Sequence, residues 1–231
     1  MDRTSAVEWH SQHASAFDSQ YENQNNFKER FEIWAEFINR YSHRDYSVLD
    51  VGCGSGIFTF HAAKKNKSVI GIDGSPEMLE ISQKKKEESQ EHKAAFIHHD
   101  IQTLPSHLHN QFDLILCSSV LEYLDNIHDS LKAITSFLKN HGTIIFSLPN
   151  ASSFFRKVQP TMFRWTGHPS YYPHIKTVLT IKETERLLHS LGFTIKECDF
   201  YARTPVLSEI FRRLGLSQYS DNLFIVAAQK K

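Results

Sequence analysis

Three glycines crowd the stretch Val48-Leu49-Asp50-Val51-Gly52-Cys53-Gly54-Ser55-Gly56, where an apolar run breaks into a turn and then a helical pattern. Glycines so placed permit positive φ and let a ligand lie directly on the backbone, although a tight strand-to-helix turn uses the same residues for purely structural ends. The spacing discriminates further. A dinucleotide site wants G-x-G-x-x-G, its third glycine allowing close helix–strand packing beside a pyrophosphate. Here the pattern is G-x-G-x-G and Ile57 stands in that third place, which disfavours a nicotinamide cofactor. About twenty residues past the loop, Val69-Ile70-Gly71-Ile72 ends in Asp73, a carboxylate suited to accept from both hydroxyls of a ribose. Its alternative is a helix cap, for which Ser75, ahead of Pro76, is the better residue. Asp100 follows a third apolar run and is placed either to accept from an adenine amine or to cap a turn.

These residues sit at the ends of strands. Tyr46–Val51, Ser68–Asp73, Ala94–His98, Phe112–Cys117 and Thr143–Leu148 are short apolar runs expected to be buried strands, and Phe58–Lys65, Pro76–Gln90 and Ile127–Lys139 are helices between them. Such a series predicts a parallel sheet with helices on both faces. Residues 1–45 are helical in pattern, with Phe27, Phe31, Trp34 and Phe37 on one face. Residues 150–180 carry Phe154, Phe155, Phe163, Trp165, Tyr171 and Tyr172 among Pro, Gly and His, a composition too irregular for one regular element and expected to form an inserted lid. A helix over Thr180–Leu191, closed by Gly192, leads to strands Phe193–Tyr201 and Asn222–Gln229, an antiparallel hairpin at the sheet edge. One domain of 231 residues is expected, divided into an N-terminal cap (1–45), a core (46–149), the lid (150–180) and a C-terminal helix with edge hairpin (181–231).

Composition narrows the partners. With 26 Lys+Arg against 26 Asp+Glu there is no cationic surplus for a nucleic-acid backbone. The three cysteines, Cys53, Cys117 and Cys198, lie far apart and make neither a disulfide framework nor a zinc spacing, which suits a reducing, cytoplasmic setting. The first residues lack the apolar core of a signal peptide. Phe154-Phe155-Arg156-Lys157 and Phe211-Arg212-Arg213-Leu214 mix apolar and basic residues in a way compatible with peripheral contact at a membrane surface.

Taken together, Val48–Gly56, Val69–Asp73, His99-Asp100-Ile101 and Phe112–Cys117 resemble the four cofactor motifs of class I S-adenosylmethionine-dependent methyltransferases. More loosely, Ser147–Asn150, Pro173–Lys176 and Glu185–Phe193 resemble the subgroup containing the ubiquinone-biosynthesis O-methyltransferases (methyltransferase type 11). The resemblance implies a Rossmann-like α/β fold, a seven-stranded and mostly parallel sheet with one antiparallel edge strand, and S-adenosylmethionine as methyl donor, leaving as S-adenosylhomocysteine. It implies that Gly52, Gly54 and Gly56 line the methionine moiety, and that Asp50 holds the loop or meets the ammonium group through water. Asp73 then binds the ribose, Gly74 and Met78 border the adenine, Asp100 and Ile101 meet its edge, and Cys117 and Ser118 floor the reaction site. Met78 is equally suited to ordinary core packing. Tyr21 is the candidate for an N-terminal aromatic over the cofactor.

The same resemblance frames the acceptor. Metal-dependent relatives carry two Glu and a His after the fourth strand, whereas this chain reads Ser118-Ser119-Val120-Leu121-Glu122-Tyr123, keeping only Glu122; no metal is expected. No Asn-Pro-Pro-Tyr-like motif of base methylation follows that strand. The expected acceptor is therefore a small molecule, with the aromatic lid favouring an aromatic or apolar one. Oxygen is the expected methylation site; the alternatives are an amine nitrogen, or a non-catalytic scaffold that keeps the S-adenosylmethionine fold, against which the retention of Asp73 and Asp100 argues. A hydroxyl acceptor needs a base, and His174, at the lid's end where the subgroup carries a histidine, is the candidate, with His168 second.

Overall fold

Residues alternate between the two faces of a single twisted sheet, and both faces are apolar. The computed structural model describes residues 5–14, 24–103, 108–203, 209, 211 and 213–231, Gln102 by its backbone alone. Its strands are β1 (Ser47–Val51), β2 (Ser68–Asp73), β3 (Ala94–His98), β4 (Phe112–Cys117), β5 (Leu138–Pro149), β6 (Phe193–Tyr201) and β7 (Leu223–Lys230), in spatial order β3-β2-β1-β4-β5-β7-β6. β1, β2, β3, β4 and β5 pair in parallel, while β7 runs antiparallel to both β5 and β6. The expected antiparallel hairpin thus forms the edge, and it is β7, one place in, that runs against its neighbours.

The helices are α1 (Ala6–Gln12), α2 (Asn25–Tyr41), α3 (Ile57–Ala63), α4 (Pro76–Ser89), α5 (Ile127–Thr135), α6 (Phe154–Thr166) and α7 (Ile181–Ser190). On one face Val48, Leu114, Leu116 and Ile145 pack with Trp34, Phe37 and Ile38 of α2 and Phe58 of α3. On the other, Leu49, Val51, Ile115, Ile144 and Phe146 pack with Leu131 and Ile134 of α5 and Leu188 of α7. The apolar stripe foreseen on α2 is what anchors it: Trp34 is fully buried, stacks on Phe58 with centroids 4.9 Å apart, and donates its indole N–H to Tyr201 Oη at 3.3 Å.

Two boundaries differ from the sequence reading. β5 begins at Leu138 and carries the polar segment Lys139-Asn140-His141-Gly142 as an irregularity in its pairing with β4, His141 having φ of +62°, and the helix before it stops at Thr135. The lid contains a regular element: the chain leaves the sheet at Asn150, forms α6 despite Pro160 inside it, and returns at Leu179, which pairs with Asn150. Aromatic side chains on more than one side of α6 blur its 3.6-residue period in the sequence. Among the described residues no helix is long and apolar enough to cross a membrane, and all three cysteines are free thiols.

Candidate active site

The chain runs outward from β1 through β2 to β3, then crosses back to β4. At such a reversal the carboxyl ends of neighbouring strands leave a crevice. The glycine loop opens it. Gly52, Gly54 and Gly56 have φ of +70°, +52° and +81°. A Cβ on Gly52 would stand 2.2 Å from Val120 Cγ2, and one on Gly56 2.8 Å from Phe96 Cζ, so these two are glycine because neighbours press on them. At Gly54 the nearest atom is Met78 Sδ at 3.8 Å, which makes this the open face of the turn. Met78, itself buried, serves both as core and as border of that face.

Asp73, at the end of β2, holds the loop in place. Its Oδ2 accepts the Gly54 amide at 2.7 Å and its Oδ1 the Ser75 amide at 2.8 Å. Each oxygen keeps a second lone pair for a ligand hydroxyl. Burial pushes the Asp73 carboxyl above the usual range, against those amides, which favour the charged form. Asp50 lies deeper, accepting Thr59 Oγ1 at 2.6 Å, and burial pushes it up to about 7. It braces the loop from beneath. Asp100 is exposed, and its carbonyl accepts the Thr103 amide at 3.1 Å in the short 3₁₀ turn Ile101–Thr103; Ile101 packs against the core beside it. Gly74 follows Asp73 and faces Val7 of α1, whose methyls would lie 3.6 Å from a Cβ there.

Past β4 the site changes character. Cys117 is buried, and the Ser118 hydroxyl accepts from Arg30 Nη2 at 2.6 Å; the Arg30 guanidinium carbon also lies 5.8 Å from the Phe58 ring centre. Ser119 adopts φ +55°, a costly conformation for a residue with a side chain. It leads into the 3₁₀ turn Leu121–Tyr123. Glu122 is buried with its Oε2 unpartnered, and burial raises its carboxyl to about 7 although Arg30 and Arg156 lie near enough to oppose this. Its carbonyl accepts the amides of Lys176 and Thr177 at 2.7 and 3.1 Å, tying the lid's tail to this turn.

Helix α1 closes the crevice. A capping box of Ser5 and Glu8 starts it, and Ser11 Oγ donates to Ser75 Oγ at 2.8 Å. The His10 ring meets Tyr123 at 5.3 Å, and Trp9 lies 6.4 Å from Tyr171 and 6.2 Å from His174 between ring centres. Burial, then the Arg30 charge, lowers His10 to about 4. His174 is therefore in the group, whereas His168 stands exposed after α6, preceding a cis bond to Pro169. Tyr21 lies outside the described residues. Trp9, His10, Arg30 and Tyr123 were not singled out from the sequence. Two signals were there: Arg30 interrupts the apolar face of α2 one turn before Trp34, and Ser5-Ala6-Val7-Glu8 has the capping-box spacing. Among the described residues no group of three His, Cys, Asp or Glu is arranged to hold a metal ion.

The open face at Gly54 and the free lone pairs of Asp73 fit a nucleoside-bearing donor such as S-adenosylmethionine. Comparison with known proteins agrees. Residues 27–197 match the family described as a methyltransferase domain. A ubiquinone biosynthesis O-methyltransferase of Actinobacillus pleuropneumoniae is 33% identical over 106 residues, 45% of each chain, so this chain spans just under half the length of that curated relative. Among solved structures, the N-methyltransferase NodS from Bradyrhizobium japonicum, in complex with S-adenosyl-L-homocysteine, superposes with TM-score 0.69 at 16% identity over 98% of this chain and 99% of that one. The [4+2]-cyclase SpnF superposes with TM-score 0.72 at 16% identity over 98% and 96% of the two chains, so this fold alone does not dictate the reaction. With the glycine loop, Asp73 and a match across most of its length, the chain belongs to the methyltransferase domain family as a class I S-adenosylmethionine-dependent methyltransferase.

Proposed function

We propose that this protein transfers the methyl group of S-adenosylmethionine to a hydroxyl oxygen of a small aromatic or apolar acceptor. The observation that carries the acceptor class is the ring-lined wall of Trp9, Tyr123 and Tyr171 around His10 and His174 at the mouth of the crevice. The bound donor supplies an electrophilic methyl on sulfur and leaves as S-adenosylhomocysteine. Gly52, Gly54 and Gly56 hold its methionine part, Asp50 braces that loop, and Asp73 takes the ribose. Gly74, Met78, Asp100 and Ile101 border the adenine, and Cys117 and Ser118 form the floor.

The protein's remaining tasks are to align the acceptor, exclude water and remove a proton. Arg30 fixes the Ser118 hydroxyl, giving the floor one orientation. α1 and the lid shut out water. Of the two candidate histidines, His174 stands beside the aromatic wall and takes the acceptor's proton. His10, uncharged at neutral pH because burial lowers it to about 4, is a weak base and serves to orient the acceptor.

Purified protein given methyl-labelled S-adenosylmethionine and a panel of phenols, aliphatic alcohols and amines should label a phenolic hydroxyl. His174→Ala should lower kcat about 100-fold while S-adenosylhomocysteine affinity stays unchanged, and His168→Ala should leave turnover intact. Turnover of His174→Ala within a few-fold of wild type removes the base from this account. Labelling confined to amines moves the reaction to nitrogen.

A further inference from the structure

Helix α6 has a second apolar face that the fold does not use. Its inner side carries buried Gln159, which accepts from Arg156 Nη1 at 2.7 Å, and Phe163, packed 5.0 Å from Tyr172. Arg156 Nε also donates to the Asn222 carbonyl at 3.4 Å, pinning the helix to the body. Its outer side carries Phe154, Val158 and Trp165, which are 58%, 40% and 84% exposed. At 3.6 residues per turn these positions fall within about 40° of one another. They form one stripe along a helix that is 13 residues long. Lys157 and Arg164 are exposed on one flank of the stripe, and among the described residues neither has an ion-pair partner.

A single exposed apolar residue needs no explanation, but an aligned stripe flanked by unpaired cations does. A tryptophan is the side chain best suited to a boundary that is apolar on one side and wet on the other. We propose that α6 is an interfacial helix that lies on an anionic lipid surface, with Phe154, Val158 and Trp165 among the acyl chains and Lys157 and Arg164 at the headgroups. Charge decides between this occupant and a second copy of the chain. An antiparallel two-fold contact through the stripe would bring the Lys157 and Arg164 flank of each helix against that of the other, and a parallel one would set those cations against the uncharged flank of Phe155 and Met162, whereas an anionic surface neutralises both. The placement also turns the lid, which covers the crevice, toward the lipid. This inference does not depend on which acceptor is methylated, because none of the five residues belongs to the site described above.

The full chain should be sedimented with phosphatidylcholine vesicles, alone or containing one third phosphatidylglycerol. The protein should pellet with the anionic vesicles and stay in solution with the neutral ones. Binding should fall between 0.1 M and 1 M salt, over which the screening length drops from about 10 Å to about 3 Å. Phe154→Ser with Trp165→Ser, and separately Lys157→Glu with Arg164→Glu, should each lower the bound fraction about tenfold. Because these side chains are exposed, both double variants should keep the wild-type thermal melt and S-adenosylhomocysteine affinity. No pelleting of wild type overturns the proposal, as does pelleting of both double variants to the same extent as wild type. A dimer in sedimentation equilibrium that Phe154→Ser with Trp165→Ser dissolves would assign the stripe to self-association instead.

Discussion

Two carboxylic acids, Asp50 and Glu122, are buried in this site, and both are pushed by burial to about 7. A buried acid whose carboxyl is raised holds its proton in the folded state at pH values where the unfolded chain has released it. Between the ordinary value of 4.5 and about 7, folded Glu122 therefore binds more protons than unfolded Glu122, so its contribution to stability falls as pH rises through that window and levels off above it. The loss is on the order of 3 kcal/mol at neutral pH. A neutral amide does not titrate, so Glu122→Gln removes this slope. Urea unfolding from pH 4.5 to 7.5 should show the variant gaining on wild type by up to about 3 kcal/mol. Parallel curves would mean that Glu122 is charged in the fold, with Arg30 or Arg156 outweighing its burial. Asp50 contributes a slope of the same sign and is common to both proteins, so it cancels from the comparison.

At the scale of elements, Ser75 joins three pieces of the site. Its hydroxyl accepts the Met78 amide at 3.1 Å as N-cap of α4 and also accepts from Ser11 of α1, while its own amide is held by Asp73. Loss of an N-cap alone costs about 1 kcal/mol. Ser75→Ala should show that loss in chemical denaturation and should weaken S-adenosylhomocysteine binding as well, since α1 loses its tie beside Gly74. A stability loss with unchanged affinity would restrict Ser75 to capping. This cap was legible from Ser75-Pro76 in the sequence, as were β2, β3, β4 and β6, whose extended runs end at Asp73, His98, Cys117 and Tyr201. Local chemistry marks such ends. It did not mark α6, where the aromatic residues that pack inward and those that face solvent alternate too closely for one period to stand out.

Across the whole molecule, the legible part of the site is the part made by neighbours in sequence. Ser47 to Asp73 is one β-turn-α-β unit, and its residue types alone point to a nucleoside ligand. The acceptor side is assembled from distant segments. Arg30 meets Ser118 across 88 positions, and Trp9 and His10 come from the first helix to face Tyr123, Tyr171 and His174. No spacing rule in the chain encodes those meetings, because they follow from how α1 and the lid fold back over the carboxyl ends of the strands. The central claim rests on the legible half, that this crevice holds S-adenosylmethionine through Asp73. Calorimetric titration with S-adenosylhomocysteine should give one site of micromolar or tighter affinity, and Asp73→Ala should weaken it at least about tenfold, or about 1.4 kcal/mol. Heat-silent titration of a folded wild-type protein, or an Asp73→Ala variant that binds as tightly as wild type, would contradict the account.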